Sequence, residues 1–206
     1  MQVNGINYLF AVNFLLIYLD LKLLKNNIVL DLIHTRFGMR KIHLDPVGNI
    51  CLNYEKIYQK LVLDQGYWAD SGLTAPSIDA IKEDIILAKK LGFNGARKHQ
   101  KFEDPYYYYF AEELGFLTWC EMPSSYNFND DEISYITKEW QEIVKTAKNY
   151  TSVICYVPIN ESWGVKQILF RYNVDNSSAV RTIVFIGNDG ERHLSASQTI
   201  MFEKNI

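Results

Sequence analysis

The chain has 206 residues, 48% of them apolar, 14% aromatic and 22% charged, with a formal net charge of −3. That balance can bury a sizeable core and excludes a disordered or collagen-like chain. Lysines and arginines are scattered rather than clustered, which argues against nucleic acid or an anionic membrane as a partner.

Three cysteines, Cys51, Cys120 and Cys155, are odd in number and far apart, and two lie in apolar runs. They read as buried free thiols. Residues 8–24 are apolar, but Asn13, Asp20 and Lys22 interrupt them and no basic segment precedes them. This falls short of the roughly 18 unbroken apolar residues of a spanning helix. The expectation is a soluble, cytoplasmic protein in which residues 8–32 form strands of a β-domain rather than a buried helix, the alternative that a short apolar run leaves open.

Organisation sharpens from Phe37. The segment Phe37-Gly38-Met39-Arg40-Lys41-Ile42 reads as a last strand of one domain, and Asp45-Pro46-Val47-Gly48-Asn49 as the turn of a hairpin entering the next, with the boundary near residue 44. Residues 61–67 are strand-like. Residues 76–91 carry apolar side chains at Ile78, Ile81, Ile85 and Ala88, a helical stripe. A second strand spans 93–97. Asp104-Pro105 opens a helix that Gly115 closes, and a third strand spans 116–121. A helix over 131–147 turns Ile133, Ile136, Trp140, Ile143 and Val144 inward and leads to a fourth strand. Such alternation implies a parallel sheet, and the expected fold class is α/β, a partial (β/α)8 TIM barrel of four to five βα units after a short β segment.

The most informative segment is 149–164. It is a nearly all-apolar run that delivers Asn160 and Glu161 at its end, then Trp163 and Gly164. A buried strand stopping on a polar pair has the form of a barrel strand whose carboxyl end faces a site. Strand two likewise ends on Arg97-Lys98-His99 and strand three on Glu121. Residues distant in sequence thus converge on one rim. Taken singly, Arg97 with Glu121 also reads as a buried salt bridge bracing the barrel mouth, and His99 as a satisfied surface histidine. Glu161 has no evident structural task.

These residues carry a resemblance. Residues 37–164 resemble glycoside hydrolase family 2, the family of bacterial β-galactosidases, β-glucuronidases and β-mannosidases. Four pieces match in order: Phe37-Gly38-Met39-Arg40-Lys41-Ile42; Asp64-Gln65-Gly66-Tyr67-Trp68; Gly92-Phe93-Asn94-Gly95-Ala96-Arg97-Lys98-His99; and Asn149-Tyr150-Thr151-Ser152 through Asn160-Glu161-Ser162-Trp163-Gly164. Tyr156 and Val157 stand where Trp and a small residue are more usual, and the spacing from Arg97 to His99 is one residue shorter than in the best-known members.

The resemblance implies a retaining β-glycosidase, β-galactosidase-like, in which one carboxylate protonates the glycosidic oxygen and another attacks the anomeric carbon. Glu161 corresponds to the acid/base, which requires a raised pKa. Asn160 corresponds to the residue that bonds the sugar 2-OH. Trp163 offers an apolar face to a pyranose, Arg97 and His99 look like the pair lining the sugar subsite, and Glu121 would tune Glu161 or hold a cation. No cofactor is required, and Mg²⁺ enters only through the resemblance. The expected partner is a β-glycoside.

The family's nucleophile, a glutamate ending strand seven, has no counterpart here, and far fewer residues follow residue 44 than the about 250 of a complete barrel. Only 183–190 resembles a fifth strand; 191–206 is an unassigned tail in which Glu191 and Glu203 read as surface charges. Residues 1–44 would be a remnant of the family's immunoglobulin-like domain, and 45–190 a partial barrel. The chain therefore reads as a fragment, active only with a complementary piece or oligomer, with an uncovered apolar inner face that favours association. Two alternatives stand beside this: a catalytically silent carbohydrate-binding fragment, and an unrelated α/β protein in which His99, Glu121 and Glu161 hold a divalent cation.

Overall fold

The computed structural model describes residues 2–11, 14–125 and 129–160, together with the short strand pair 179–180 and 203–204. The apolar N-terminal stretch forms strands, as expected: β1 (Gln2–Ala11), β2 (Phe14–Lys25) and β3 (Ile28–Met39) make an antiparallel sheet in that order. Asn26 and Asn27, both with positive φ, turn the β2–β3 hairpin.

The run 37–42 is not one continuous strand. β3 stops at Met39, and β4 (Ile42–Leu44) resumes after Arg40 and Lys41. The break frees Arg40 to cross to another sheet, where its Nε donates to the Thr151 carbonyl (2.9 Å) and Nη2 to that of Val153. Gly38 permits the approach, since a Cβ there would overlap the Thr151 side chain. β4 pairs with β5 (Ile50–Leu52) across the Asp45–Asn49 turn, and β5 with β6 (Glu55–Lys56). The Asp45 carboxylate holds that turn by accepting from Asn49 and Val47, and these bonds lower its pKa.

Between residues 61 and 157 the described chain forms a parallel βα sheet. The strands β7 (Leu61–Asp64), β8 (Gly95–Lys98), β9 (Leu117–Glu121) and β10 (Val153–Val157) lie side by side in chain order, all parallel. The helices α1 (Ile78–Lys90), α2 (Pro105–Glu113) and α3 (Asp130–Ala147) form the crossovers. Each begins on the cap its sequence offers: Ser77 accepts from Ala80, Asp104 from Tyr106 ahead of Pro105, and Asn129 from Glu132. Gly115 ends α2 at φ 63°, where a left-handed residue is needed. The first strand is shorter than expected, ending at Asp64, because Gly66 at φ 66° turns the chain and leaves Tyr67 exposed.

Alternation on the strands gives the sheet two faces. Ala96, Cys120, Val153 and Tyr156 pack under the helices with Ile81, Ile85, Tyr108, Phe110, Trp140 and Val144. Ile133 does not belong to this layer; it lies in the first turn of α3 and is 40% exposed, whereas Ala147 at the other end is buried. On the opposite face Leu117 and Ile154 are covered by Phe14, Leu16, Ile42 and Leu52. The N-terminal strands and the hairpin therefore bury the amino-terminal half of the sheet's inner face, which the sequence left open. Arg36 fastens the two parts, pairing with Glu112 and Glu113 at 3.1 Å each over the Tyr109 ring. All three cysteines are buried thiols outside any disulfide. Among the described residues no helix is long and apolar enough to cross a membrane.

Candidate active-site rim

The inner face of the sheet ends, at its carboxyl side, in polar residues. Arg97 follows Gly95 on the inner side of β8, where a Cβ at Gly95 would strike the Leu117 carbonyl, so β8 and β9 approach closely. This brings Arg97 against Glu121 at the end of β9. Its Nε donates to Glu121 Oε2 at 2.6 Å, and its Nη2 donates to Asn160 Oδ1 at 2.7 Å. One guanidinium thus ties three successive strand ends together. Glu121 is fully buried, and a carboxylate in that position needs a charged partner. Its other oxygen accepts from the Gln100 amide at 3.0 Å. Gln100 adopts φ 53°, a left-handed conformation that turns its N–H toward the carboxylate.

His99, two residues beyond Arg97, faces the same rim. Its Nε2 lies 4.0 Å from Glu121 Oε1, and its Nδ1 is 3.0 Å from Gln65 Nε2. The ring is 14% exposed, so it is not the surface histidine that a lone residue suggests. Arg97, His99, Glu121 and Asn160 are therefore brought together, and the salt-bridge and convergence readings of Arg97 describe the same contact. Glu161 and Trp163 lie outside the described residues, as do Glu191 and residues 183–190.

Sequence reasoning gave no role to Gln65 or Gln100. Gln65 could have been found from its place one residue past a strand end, the position that His99 occupies on the neighbouring strand. Gln100 acts through its backbone and left no signal in its side chain. The carboxylate offered to a cation, Glu121, is held by a guanidinium instead. Among the described residues no three His, Cys, Asp or Glu side chains gather as a metal site.

A parallel βα sheet with charged and amide groups at its carboxyl edge defines the general class, an α/β scaffold with a rim site. Comparison with solved structures makes this more particular: the fold is that of a segment of β-glucuronidases. Bacteroides uniformis β-glucuronidase 3 matches with a TM-score of 0.61 at 20% identity, over 71% of this chain and 19% of that one. The β-glucuronidase of Ruminococcus gnavus in complex with D-glucuronic acid matches with a TM-score of 0.62 at 24% identity, over 71% of this chain and 26% of that one. That of Parabacteroides merdae matches with a TM-score of 0.57 at 18% identity, over 69% and 18%. The chain thus spans about a quarter or less of the proteins it matches. No family model matches the sequence, and no curated protein matches it.

Proposed function

We propose that the chain carries the acid/base side of a retaining β-glycosidase of the family 2 type, built on the first βα units of a TIM barrel. The supporting observation is the Arg97 guanidinium bonded to both Glu121 and Asn160, which sets the Asn160 amide at the rim one residue before Glu161. In this reading Asn160 bonds a sugar hydroxyl, Arg97 and His99 wall the subsite, Trp163 receives the pyranose face, and Glu161 moves the proton to and from the glycosidic oxygen. The reaction also requires a second carboxylate roughly 5–5.5 Å from the first. Glu121 is poorly placed for that task, since both its oxygens are already bonded by Arg97 and Gln100. The nucleophile therefore comes from outside the described residues.

The sequence points to a β-galactoside as substrate. The solved structures similar in fold are β-glucuronidases, one of them in complex with D-glucuronic acid, which supports a β-glucuronide as the alternative substrate. The engaged state of Glu121 also favours a second reading, a rim that binds sugar without cleaving it. Calorimetric titration with D-glucaro-1,5-lactone and D-galactono-1,4-lactone tests the binding common to both readings. Saturable binding lost in Arg97→Met supports it, and no binding of either lactone refutes it. Cleavage of aryl β-glycosides, with release of phenol from the unactivated phenyl glycoside lost in Glu161→Gln, separates cleavage from binding alone.

A further inference from the structure

Lys98 lies between Arg97 and His99 but points to the other side of β8, into the layer between sheet and helices. Its side chain is 3% exposed. A lysine so buried must be compensated, and here the compensation is specific. The Nζ is 2.5 Å from Asp64 Oδ2, 3.3 Å from Glu103 Oε1 and 4.7 Å from the centre of the Tyr107 ring.

Asp64 relays this contact to the rim. Its Oδ1 accepts from the Gly66 amide at 2.7 Å, and its carbonyl accepts from the His99 amide at 2.8 Å. Lys101 closes the other side, pairing with Glu103 at 2.6 Å and donating to the carbonyls of Gly66 and Leu73. The turn 64–66 is therefore held by side chains and backbone at once, with Gly66 at φ 66°. What the turn presents is Gln65, itself exposed, whose amide nitrogen reaches His99 Nδ1 at 3.0 Å. If Nδ1 accepts, the neutral imidazole keeps its proton on Nε2, the nitrogen directed toward Glu121.

We propose that Lys98 is a positioning residue for the rim: through Asp64 and the 64–66 turn it holds Gln65 against His99 and so fixes the ring's orientation and its Nε2–H tautomer. Its consequence for ligand binding rests on the rim being a sugar subsite; the geometric claim does not.

Long-range ¹H–¹⁵N spectra of the full chain test it, the His99 signal being identified by its loss in His99→Asn. The unmutated ring shows the Nε2–H tautomer. Lys98→Met and Gln65→Leu each shift it toward the mixture of a free imidazole, and the double variant goes no further than the larger single change. Gln65 is exposed, so its variant folds; if Lys98→Met does not, Asp64→Asn reproduces the shift. A His99 spectrum unchanged in Lys98→Met, or in Asp64→Asn where that variant stands in, overturns the proposal, and so does one unchanged in Gln65→Leu. Lactone affinity falls roughly tenfold in Lys98→Met. Failure of the unmutated chain to bind lactone removes the subsite reading alone, because the tautomer measurement still decides the role of Lys98.

Discussion

Arg97→Met isolates the contact on which the rim depends. The substitution keeps much of the apolar stem and removes the guanidinium, leaving Glu121, 0% exposed, with the Gln100 amide as its hydrogen-bond donor among the described residues. Removing one partner of a buried pair costs about 3–5 kcal/mol, mostly the penalty of the charge left behind. A chain of this size shifts by roughly 2–4 °C per kcal/mol, so the midpoint of thermal unfolding falls by about 6–20 °C. Urea unfolding at pH 7, followed by tryptophan fluorescence and circular dichroism, measures the same loss. Because the cost belongs to Glu121, Arg97→Met/Glu121→Met recovers much of it. An Arg97→Met protein within about 1 kcal/mol of the original refutes the reasoning, since it would mean that Glu121 is not a buried charge in need of its arginine.

Other consequences follow from the same structure. Gly38→Ala drives a methyl into Thr151 and costs about 1–3 kcal/mol in urea unfolding, much of it relieved by Thr151→Ala. Burial pushes the Cys120 thiol up to about 12, so iodoacetamide at pH 8 leaves it unlabelled in the folded chain and labels it in guanidinium, as mass spectrometry would show. Burial raises the Glu112 pKa above its ordinary 4.5, a shift opposed by the Thr151 amide and Arg36. A raised folded-state pKa gives stability that is full below the unfolded value and is lost as pH rises through the folded one. The thermal midpoint of the original protein relative to Glu112→Gln is therefore highest at pH 4 and declines above pH 4.5; a constant difference across pH 4–8 contradicts it.

Where side chains alternate or repeat with a clear period, the sequence made the fold legible. The four βα strands, the helix start at Asp104-Pro105 and the stop at Gly115 all follow from local chemistry. The rim was readable for a related reason: Arg97, Glu121 and Asn160 each lie at or just beyond the carboxyl end of a strand, and a parallel sheet must align those ends. Three features escaped because they depend on long-range contacts. Arg40 breaks the run 37–42 to reach carbonyls more than a hundred residues away. Phe14 and Leu16 cover an inner face that local patterning leaves open. Lys98 looks like one more polar residue in a polar triplet until strand alternation turns it away from its neighbours and toward Asp64.

The central claim is that the strand ends carrying Arg97, His99 and Asn160 form a sugar subsite. Titrating the ¹⁵N-labelled chain with D-glucaro-1,5-lactone and recording side-chain and backbone ¹H–¹⁵N spectra tests this most directly. The Arg97 Nε, the His99 ring and the Asn160 amide should shift together and saturably, with Ile154 and Leu117 deeper in the sheet unmoved. Shifts that are absent, or that cluster away from these three residues, contradict it.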